Sequence, residues 1–382
     1  MKVYFDNAAT TPIDEEVFEE MKPYMLQHFG NPSSIHSHGR QVRTAIERSR
    51  KKVAELLGAA PAEIFFTSGG TEADNTAIRC TVSEKNIQHI VTTKIEHHAV
   101  LHTVQVLEKQ GVRVSYLDLD AKGYFDHKEL EAVLQENPHS LVTLMHANNE
   151  IANMCDLAEI GAICKETGAL FHSDTVQTMG HYQHDFANLN VDFAVGSAHK
   201  FHGPKGVGFL YMNHQTKIHP FIHGGAQERN MRGGTENVYG IVGLAKALEI
   251  AYSGMVTHRS HILGLKEHLI NRLTNEIQGI AFNGESANTS DSLYTVLNVC
   301  LPISNDTDML LFNLDIEGVS VSGGSACSSG SSIGSHVLAE LDRDQQRGAI
   351  RFSFSKYNTK EEVDYAVDKL VAIFKPAALQ DQ

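Results

Sequence analysis

The chain has 382 residues, of which 46 are acidic and 32 basic, so its formal net charge is −14 with histidine counted neutral. Hydrophobic residues make up 42% and charged residues 20% of the chain, which is typical of a globular protein and excludes a disordered tail or a coiled coil. The acidic excess disfavours binding to nucleic acid or anionic lipid, because such surfaces attract clustered Lys and Arg. Small-molecule chemistry is therefore the first expectation.

Neither a secretory signal nor a membrane span is expected. The N-terminus carries charge at Lys2 and Asp6, and no apolar run approaches the ~18 residues of a spanning helix. The five cysteines contain no CxxC pair, which favours a reducing compartment over a disulfide framework; they are Cys80, Cys155, Cys164, Cys300 and Cys327. The predicted localisation is cytoplasmic.

Short β-rich runs alternate with helix-length segments between about residues 60 and 212, which indicates an α/β sheet built from βα units. Several runs are apolar on both faces, as expected for buried, mostly parallel strands. The loop between the last two runs is too short for a helix, so those two are expected to pair antiparallel. The seven runs are residues 64–67, 89–93, 112–117, 141–146, 169–173, 192–196 and 206–212.

Helices and a second unit are predicted around this block. Helical spacing of apolar residues predicts one helix ending near Gly58 and another with apolar residues from Val363 to Phe374, behind a capping box of Thr359 and Glu362. Ser253 and Gly254 are expected to end a helical stretch, and a second domain is predicted to start near residue 255. Strands are predicted at 298–301 and 349–354, and the Ser/Gly-rich stretch 322–332 is expected to be mobile.

The turn at residues 67–72 follows a β run and contains Gly69, Gly70 and Thr71. Glycines let the backbone approach an anion, and a helix N-terminus favours a phosphate. The turn matches neither a Walker loop nor GxGxxG. From these residues alone, a phosphate site and an ordinary βα turn are equally good interpretations.

Polar residues follow two further β runs, where ligands bind in open α/β sheets. Asp174 follows the fifth run, and Lys200 follows the sixth, after Ser197 and His199. An Asp–Lys salt bridge at the sheet edge would explain the two charges but not the neighbouring Ser and His.

Pyridoxal phosphate needs this whole set of groups: an amine for its aldehyde, an acid for its ring nitrogen, and a helix N-terminus with hydroxyl donors for its phosphate. Lys200, Asp174, and the Gly70–Thr71 turn with Ser197 would supply them. His97 is a candidate stacking partner for the ring, whereas its neighbour His98 is expected to be an ordinary core or surface residue.

Ten short motifs carry a resemblance that covers essentially the full chain. They lie at residues 4–12, 31–36, 67–72, 96–97, 146–151, 172–177, 197–206, 232–237, 322–329 and 350–353. On these motifs the chain resembles the cysteine desulfurases of the class V aminotransferase family, in the NifS/IscS-like group. The resemblance implies the PLP-dependent transferase fold type I. In that fold, a large domain (15–255) with a mostly parallel, mixed seven-stranded sheet between helices accompanies a smaller α+β domain (1–14 and 256–382).

The resemblance also implies roles for individual residues. Lys200 would hold the cofactor covalently, and Asp174 would face its ring nitrogen. Gln177 would donate to its phenolic oxygen. His97 would stack on its ring and also act as an acid and base. Asn149 would contact cofactor and substrate, and Arg351 the substrate carboxylate. The implied phosphate contacts are Gly70, Thr71, Ser197, His199 and, reaching the neighbouring subunit of a homodimer, Thr235.

Cys327 is the residue on which the implied reaction depends. In the 322–332 loop it would act as a thiolate on the sulfur of L-cysteine, leaving L-alanine and a persulfide for a sulfur-acceptor protein, in Fe–S cluster assembly or another thiolation route. The other four cysteines are expected to be packing residues. No metal site is expected.

Three alternatives remain at this point. A selenocysteine lyase or another PLP-dependent C–S lyase of the same fold would not require Cys327. A metal-dependent hydrolase would use the 22 histidines, but the chain has no HExxH or comparable ligand frame. A catalytically inactive scaffold for a sulfur-transfer partner would not need to retain Lys200, Asp174, His97 and Cys327 together.

Overall fold

The computed structural model of the protein describes residues 1–303, 309–323, 334–341, 344 and 346–374. Its strands are β1 (Val3–Tyr4), β2 (Ile64–Thr67), β3 (His89–Thr92), β4 (Arg113–Tyr116), β5 (Leu141–Thr143), β6 (Leu170–Ser173), β7 (Phe193–Ser197), β8 (Gly208–Met212), β9 (Ala281–Phe282), β10 (Val296–Cys300), β11 (Val319–Ser320) and β12 (Ala349–Ser353). Its α-helices are α1 (Glu15–Leu26), α2 (Ser37–Leu56), α3 (Gly70–Glu84), α4 (His98–Lys109), α5 (His127–Glu136), α6 (Leu157–Thr167), α7 (Val238–Glu276), α8 (Leu310–Ile316), α9 (His336–Ala339) and α10 (Lys360–Phe374). Short 3-10 turns cover Pro61–Glu63, Ala198–Lys200 and Gln227–Asn230.

Seven strands form one mixed sheet in the order β2-β8-β7-β6-β5-β3-β4. Strand β8 runs antiparallel to both of its neighbours, and every other neighbouring pair is parallel. The seven predicted strands, the antiparallel pairing of the last two and the α/β class are confirmed.

Both faces of this sheet are buried, which explains why several of its strands, such as β2 and β7, are apolar along most of their length. Successive residues of a strand point to opposite faces. Phe66 and Val91 pack with residues of α1, α2, α6 and α7 on one side. Their neighbours Phe65 and Ile90 pack with α3 and α4 on the other side. The helices therefore cover the sheet faces, and the strand ends form the edge at which ligands bind.

A second core lies around a smaller antiparallel sheet of order β12-β10-β9. It includes residues of α10 and the second half of α7, together with Val3 and Phe5 from the N-terminus. Strand β1 pairs in parallel with β11. The N-terminal residues thus pack with the C-terminal part of the chain, far from them in sequence.

The expected helix end at Ser253–Gly254 is wrong, because α7 continues through both residues to Glu276. A glycine in a helix interior costs only about 1 kcal/mol. The first half of α7 packs into the core of the large sheet, for example at Leu244, and the second half packs into the smaller core, for example at Leu269. Burial at both ends outweighs the local helix-breaking signal.

Two predicted helix signals are confirmed. Gly58, with a positive φ of 61°, follows the end of α2. At α10, the Thr359 N–H donates to the Glu362 carboxylate at 3.0 Å, and the Glu362 N–H donates to the Thr359 hydroxyl at 3.3 Å. None of the helices in the described ranges has the length and apolar character that spanning a bilayer requires.

Candidate active site

The turn after β2 leads directly into α3 at the carboxyl edge of the large sheet. Gly69 has a positive φ of 152°, and a Cβ added to Gly70 would lie 2.9 Å from Val176 Cγ2. A glycine at position 70 therefore allows the backbone to pass close to the residues that follow β6. The N-terminal N–H groups of α3 create a positive end to which an anion can bind.

Asp174 follows β6 and is buried, with 6% of its surface exposed. Its Oδ1 atom accepts a hydrogen bond from the Val176 N–H at 2.9 Å, so the turn fixes the orientation of the carboxyl group. Gln177, three residues further on, donates to the Ala8 carbonyl at 3.1 Å.

Lys200 ends the short 3-10 turn that follows β7. Its Nζ donates to the carbonyl oxygens of Ala8 at 2.6 Å and of Ala9 at 2.9 Å. The same N-terminal segment holds His199, whose Nδ1 lies 3.2 Å from the Thr10 hydroxyl. Burial, with Lys200 and Lys205 nearby, lowers the pKa of His199 to about 4.

His97 is the N-cap residue of α4, where its Nδ1 accepts a hydrogen bond from the Ala99 N–H at 3.2 Å. Burial lowers the pKa of His97 below its ordinary value, Lys200 adds to this effect, and Asp174 opposes it. The capping bond defines the tautomer: Nδ1 is the acceptor, so the neutral ring carries its proton on Nε2.

Arg351 lies on β12 and is almost completely buried. Its guanidinium donates to Asp6 Oδ1 at 2.8 Å and to the Asn149 carbonyl at 3.0 Å. The Arg351 N–H also donates to the Ser322 carbonyl at 2.7 Å, so the segment that leads toward residue 327 departs from a point beside this arginine.

Ten of the twelve predicted site residues line one cavity of about 380 Å³: Gly70, Thr71, His97, Asn149, Asp174, Gln177, Ser197, His199, Lys200 and Arg351. Thr235 is the exception among the described residues, because it is exposed and lines a separate cavity with Glu228 and Arg232. Cys327 and residues 324–332 of its loop lie outside the described residues.

The sequence analysis missed several residues of the cavity wall. His98 lines the cavity, and so do Asp74, Glu150 and His336. A signal existed for Asp74, which lies one helical turn after Gly70 and hence on the same face of α3. No local pattern pointed to His336, which reaches the cavity through tertiary packing.

Comparisons with known proteins agree with this architecture. The family described as Aminotransferase class-V matches residues 3–366. The cysteine desulfurase IscS of Dictyoglomus turgidum is 45% identical over 379 residues, which cover 98% of this chain and 95% of the relative. A solved NifS-like protein is 40% identical with a TM-score of 0.90 and covers 98% of this chain and 99% of its own. A solved complex of SspA with cysteine is 31% identical with a TM-score of 0.81, covering 94% of this chain and 100% of its own.

The family match spans nearly the whole chain, and the relatives are similar over both the large sheet and the smaller core. The seven-stranded mixed sheet is consistent with the fold type I architecture that the motifs implied. The chain belongs to the class V aminotransferase family, in its NifS/IscS-like group.

Proposed function

We infer that this chain is a cysteine desulfurase, an enzyme that converts L-cysteine to L-alanine and passes the sulfur to an acceptor. The observation that carries this conclusion is the convergence of Lys200, Asp174, His97 and Arg351 on one cavity, in a chain 45% identical to a cysteine desulfurase. An amine, an acid, an imidazole and a guanidinium are the groups that amino-acid chemistry on pyridoxal phosphate requires.

The residues of the cavity fit pyridoxal phosphate. At Gly70 a side chain would occupy the space at the N-terminus of α3, where a phosphate would bind. Ser197 and Thr71 add hydroxyl donors in the cavity wall. Asp174 offers an acid for the ring nitrogen, and Lys200 a primary amine for the aldehyde.

When bound, the cofactor supplies an electron-withdrawing ring that stabilises negative charge on the α-carbon of the substrate. Asp174 would stabilise the positive charge of the ring nitrogen. Lys200, held by the Ala8 and Ala9 carbonyls, accepts the α-proton of cysteine at Nζ and returns a proton later. His97 would lie against the ring, and its pKa, lowered by burial, favours the neutral imidazole.

Arg351 and Asn149 orient the substrate. A guanidinium binds a carboxylate through two parallel hydrogen bonds, which fixes direction as well as position. Asp6 and the Asn149 carbonyl already hold the Arg351 side chain, so little rotamer freedom remains to be lost when cysteine binds.

Cys327 takes the sulfur. Its thiolate attacks the sulfur of bound cysteine, so that an S–S bond forms while the Cβ–S bond breaks. The electron pair of the broken bond stays on Cβ, which takes up a proton and becomes the methyl group of alanine. The persulfide on Cys327 keeps the transferred sulfur at the oxidation level needed for an acceptor thiol, and no outside oxidant is required.

The wider setting is part of the same proposal. Thr235 contacts the phosphate in the neighbouring subunit of a homodimer; its exposed position outside the main cavity supports this. The two cores support a large domain over 15–255 and a small domain over 1–14 and 256–382.

The four described cysteines are free thiols, which supports a reducing, cytoplasmic location. The acceptor is a protein of Fe–S cluster assembly or of another thiolation route.

The test compares Cys327→Ser with the wild type and with Cys300→Ser, a buried thiol outside the cavity, as the matched control. Incubation with L-cysteine should give alanine and add the mass of one sulfur atom to Cys327 in the wild type and in Cys300→Ser. Cys327→Ser should form almost no alanine. Undiminished turnover in Cys327→Ser would instead indicate a C–S lyase that does not use this thiol.

The cofactor is tested separately by visible absorbance and by borohydride reduction. The purified wild type should be yellow, and reduction should attach the cofactor to the peptide that contains Lys200. Lys200→Ala should retain no cofactor after reduction and denaturation. A colourless wild type that takes up no added pyridoxal phosphate would contradict the proposed chemistry.

A further inference from the structure

We propose that Asp74 is a positioning residue for the cofactor: together with His172 and Thr143 it forms a buried chain that presents a second carboxyl group to the cavity beside Asp174. The proposal rests on the proposed function, because it concerns the cofactor that Asp174 is proposed to hold. Neither the motifs nor the comparisons assign a role to Asp74.

Asp74 lies in the second turn of α3, is 1% exposed and contributes to the cavity wall. One carboxyl oxygen of Asp74, one of Asp174 and a ring nitrogen of His97 all lie within 4.8 Å of one another. Two acids therefore lie on the side of the cavity where Asp174 is proposed to meet the ring nitrogen. Asp174 alone would be enough to neutralise the single positive charge of the ring nitrogen, so Asp74 is an additional acid at this position.

His172 lies behind Asp74, on β6, and is completely buried. Its Nε2 lies 3.3 Å from Asp74 Oδ1, and among the described residues neither atom has a hydrogen-bond partner. Its Nδ1 lies 2.8 Å from the Thr143 hydroxyl. Because unpartnered buried polar atoms are costly, the pair Asp74–His172 is expected to share a proton.

A small side-chain adjustment that aligns Asp74 Oδ1 with His172 Nε2, now 3.3 Å apart, would give this hydrogen-bonded trio two proton arrangements. In the neutral one, protonated Asp74 donates to Nε2, and the Nδ1–H of His172 donates to Thr143. In the anionic one, Thr143 donates to Nδ1, and the Nε2–H donates to the Asp74 carboxylate. The two arrangements differ by one proton, so the trio of Asp74, His172 and Thr143 can change its net charge by one unit inside the core.

The surroundings favour the neutral arrangement in the protein alone. Burial raises the pKa of Asp74 well above its ordinary value, and the carboxyl groups of Asp174 and Glu96 raise it further. Burial lowers the pKa of His172 to about 3, so its ring is neutral. Burial also lowers the pKa of His97, which favours its neutral form, and Lys200 lines the same cavity.

A cation at the ring nitrogen would reverse this balance, because a positive charge beside two acids favours ionisation of both. By linkage, the ionised Asp74 would in turn strengthen the binding of the protonated cofactor. Cofactor binding should therefore release a proton from Asp74.

The experiment measures proton release and affinity when pyridoxal phosphate binds to the cofactor-free protein, by calorimetry in buffers of different ionisation enthalpy. Asp74→Asn keeps the size of the side chain and removes its charge. We expect this variant to release about one proton fewer than the wild type and to bind the cofactor about tenfold more weakly. The matched control is Asp192→Asn, at a half-buried acid outside the cavity, which accepts from the Phe171 N–H and should change neither quantity.

A second measurement uses the unmodified protein, so the proposal stays testable if Asp74→Asn does not fold. Infrared difference spectra on cofactor binding should show the loss of a neutral carboxyl band and the gain of a carboxylate band. Equal proton release in wild type and Asp74→Asn, or no loss of a neutral carboxyl band, would overturn the role of Asp74. A wild type that binds no cofactor would instead contradict the proposed function.

Discussion

Arg351, which lines the cavity, forms an ion pair of 2.8 Å with Asp6, although 345 positions separate the two residues in the sequence. We predict that Asp6→Asn raises the KM for cysteine and leaves kcat nearly unchanged, because the guanidinium loses the partner that orients it. Arg351→Ala should cost more, roughly 1.5–3 kcal/mol or about 10- to 150-fold in kcat/KM, the usual value of hydrogen bonds to a charged group. Steady-state alanine formation measures both effects.

The control for this prediction is Lys369→Ala, which removes an exposed ion pair with Glu317 outside the cavity. Thermal unfolding of each variant separates a loss of substrate binding from a loss of stability. An unchanged KM in Asp6→Asn would show that Asp6 does not orient the arginine for the substrate.

A second buried ion pair joins Arg50 to Glu228, with both side chains at most 3% exposed. The Glu228 carboxylate also accepts from the Phe66 N–H at 2.8 Å, and its backbone has a positive φ of 44°. We expect Glu228→Ala to lower the free energy of unfolding by about 3–5 kcal/mol, because the variant removes the buried carboxylate and leaves the Arg50 guanidinium only the exposed Glu47 carboxylate at 3.3 Å and the Ile64 carbonyl.

Urea unfolding measures this change. Lys22→Ala, which breaks the exposed pair with Glu19, is the control and should cost less than about 1 kcal/mol. A loss of the same small size in Glu228→Ala would mean that Arg50 finds solvent or another acceptor.

Lys266 is a buried lysine whose hydrogen bonds go to neutral groups, the Ser292 hydroxyl at 2.9 Å and the Leu293 carbonyl at 3.1 Å. Burial lowers its pKa to about 7 from an ordinary value of 10.5. Between these two pH values the unfolded chain binds a proton that the folded chain lacks, so this group makes the folded state more stable as pH rises. Below pH 7 the penalty for the buried lysine is at its full size.

Lys266→Met should remove this pH dependence. Relative to the variant, the wild type should gain up to about 4 kcal/mol of unfolding free energy between pH 7 and pH 10. Chemical denaturation across that range measures the difference, and Lys52→Met, at a partly exposed lysine, should run parallel to the wild type. A constant gap between Lys266→Met and the wild type would contradict the lowered pKa.

His98 and His336 join α4 to the segment that follows residue 333. His336 Nε2 donates to the Glu96 carbonyl at 3.0 Å, so its Nδ1 accepts from His98 Nε2 at 3.0 Å. Burial, with the neighbouring His336 and His102, lowers the pKa of His98 to about 4 from 6.5. Between pH 6.5 and pH 4 the unfolded chain binds a proton at His98 more readily than the folded chain does. The stability that this site contributes is therefore lost as pH falls from 6.5 toward 4.

We therefore expect amide hydrogen exchange in residues 334–341, corrected for intrinsic rates, to be faster at pH 5 than at pH 7. His98→Phe keeps a ring but removes the donor, so it should show the faster exchange at both pH values. His139→Phe, at an exposed histidine that contacts the Lys85 carbonyl, is the control. Equal protection of the segment in His98→Phe and the wild type would show that this contact does not hold it.

Local patterns in the sequence were sufficient for the secondary structure and for much of the candidate site. Strands with apolar residues on both faces predicted the sheet, because burial on both sides leaves few positions for polar residues in such a run. Asp174 and Lys200 follow such strands, and the ends of neighbouring strands must meet at one edge, so their proximity could be predicted without coordinates. The motif around Cys327 predicted a catalytic role for that thiol, and this role stays a prediction.

The remaining features of the fold and of the candidate site depend on contacts between distant parts of the chain, which no local pattern encodes. Gly254 does not end α7, because burial of the helix at both cores outweighs a local cost of about 1 kcal/mol. Ala8 and Ala9 hold Lys200 through backbone carbonyls, which a sequence pattern of side chains cannot reveal. Likewise, Asp74 gains its environment from His172 on β6, some hundred positions away in the sequence. The sequence by itself determined many of the groups that line the site; tertiary packing added others and decided which of them are buried together, and burial is what shifts their pKa values.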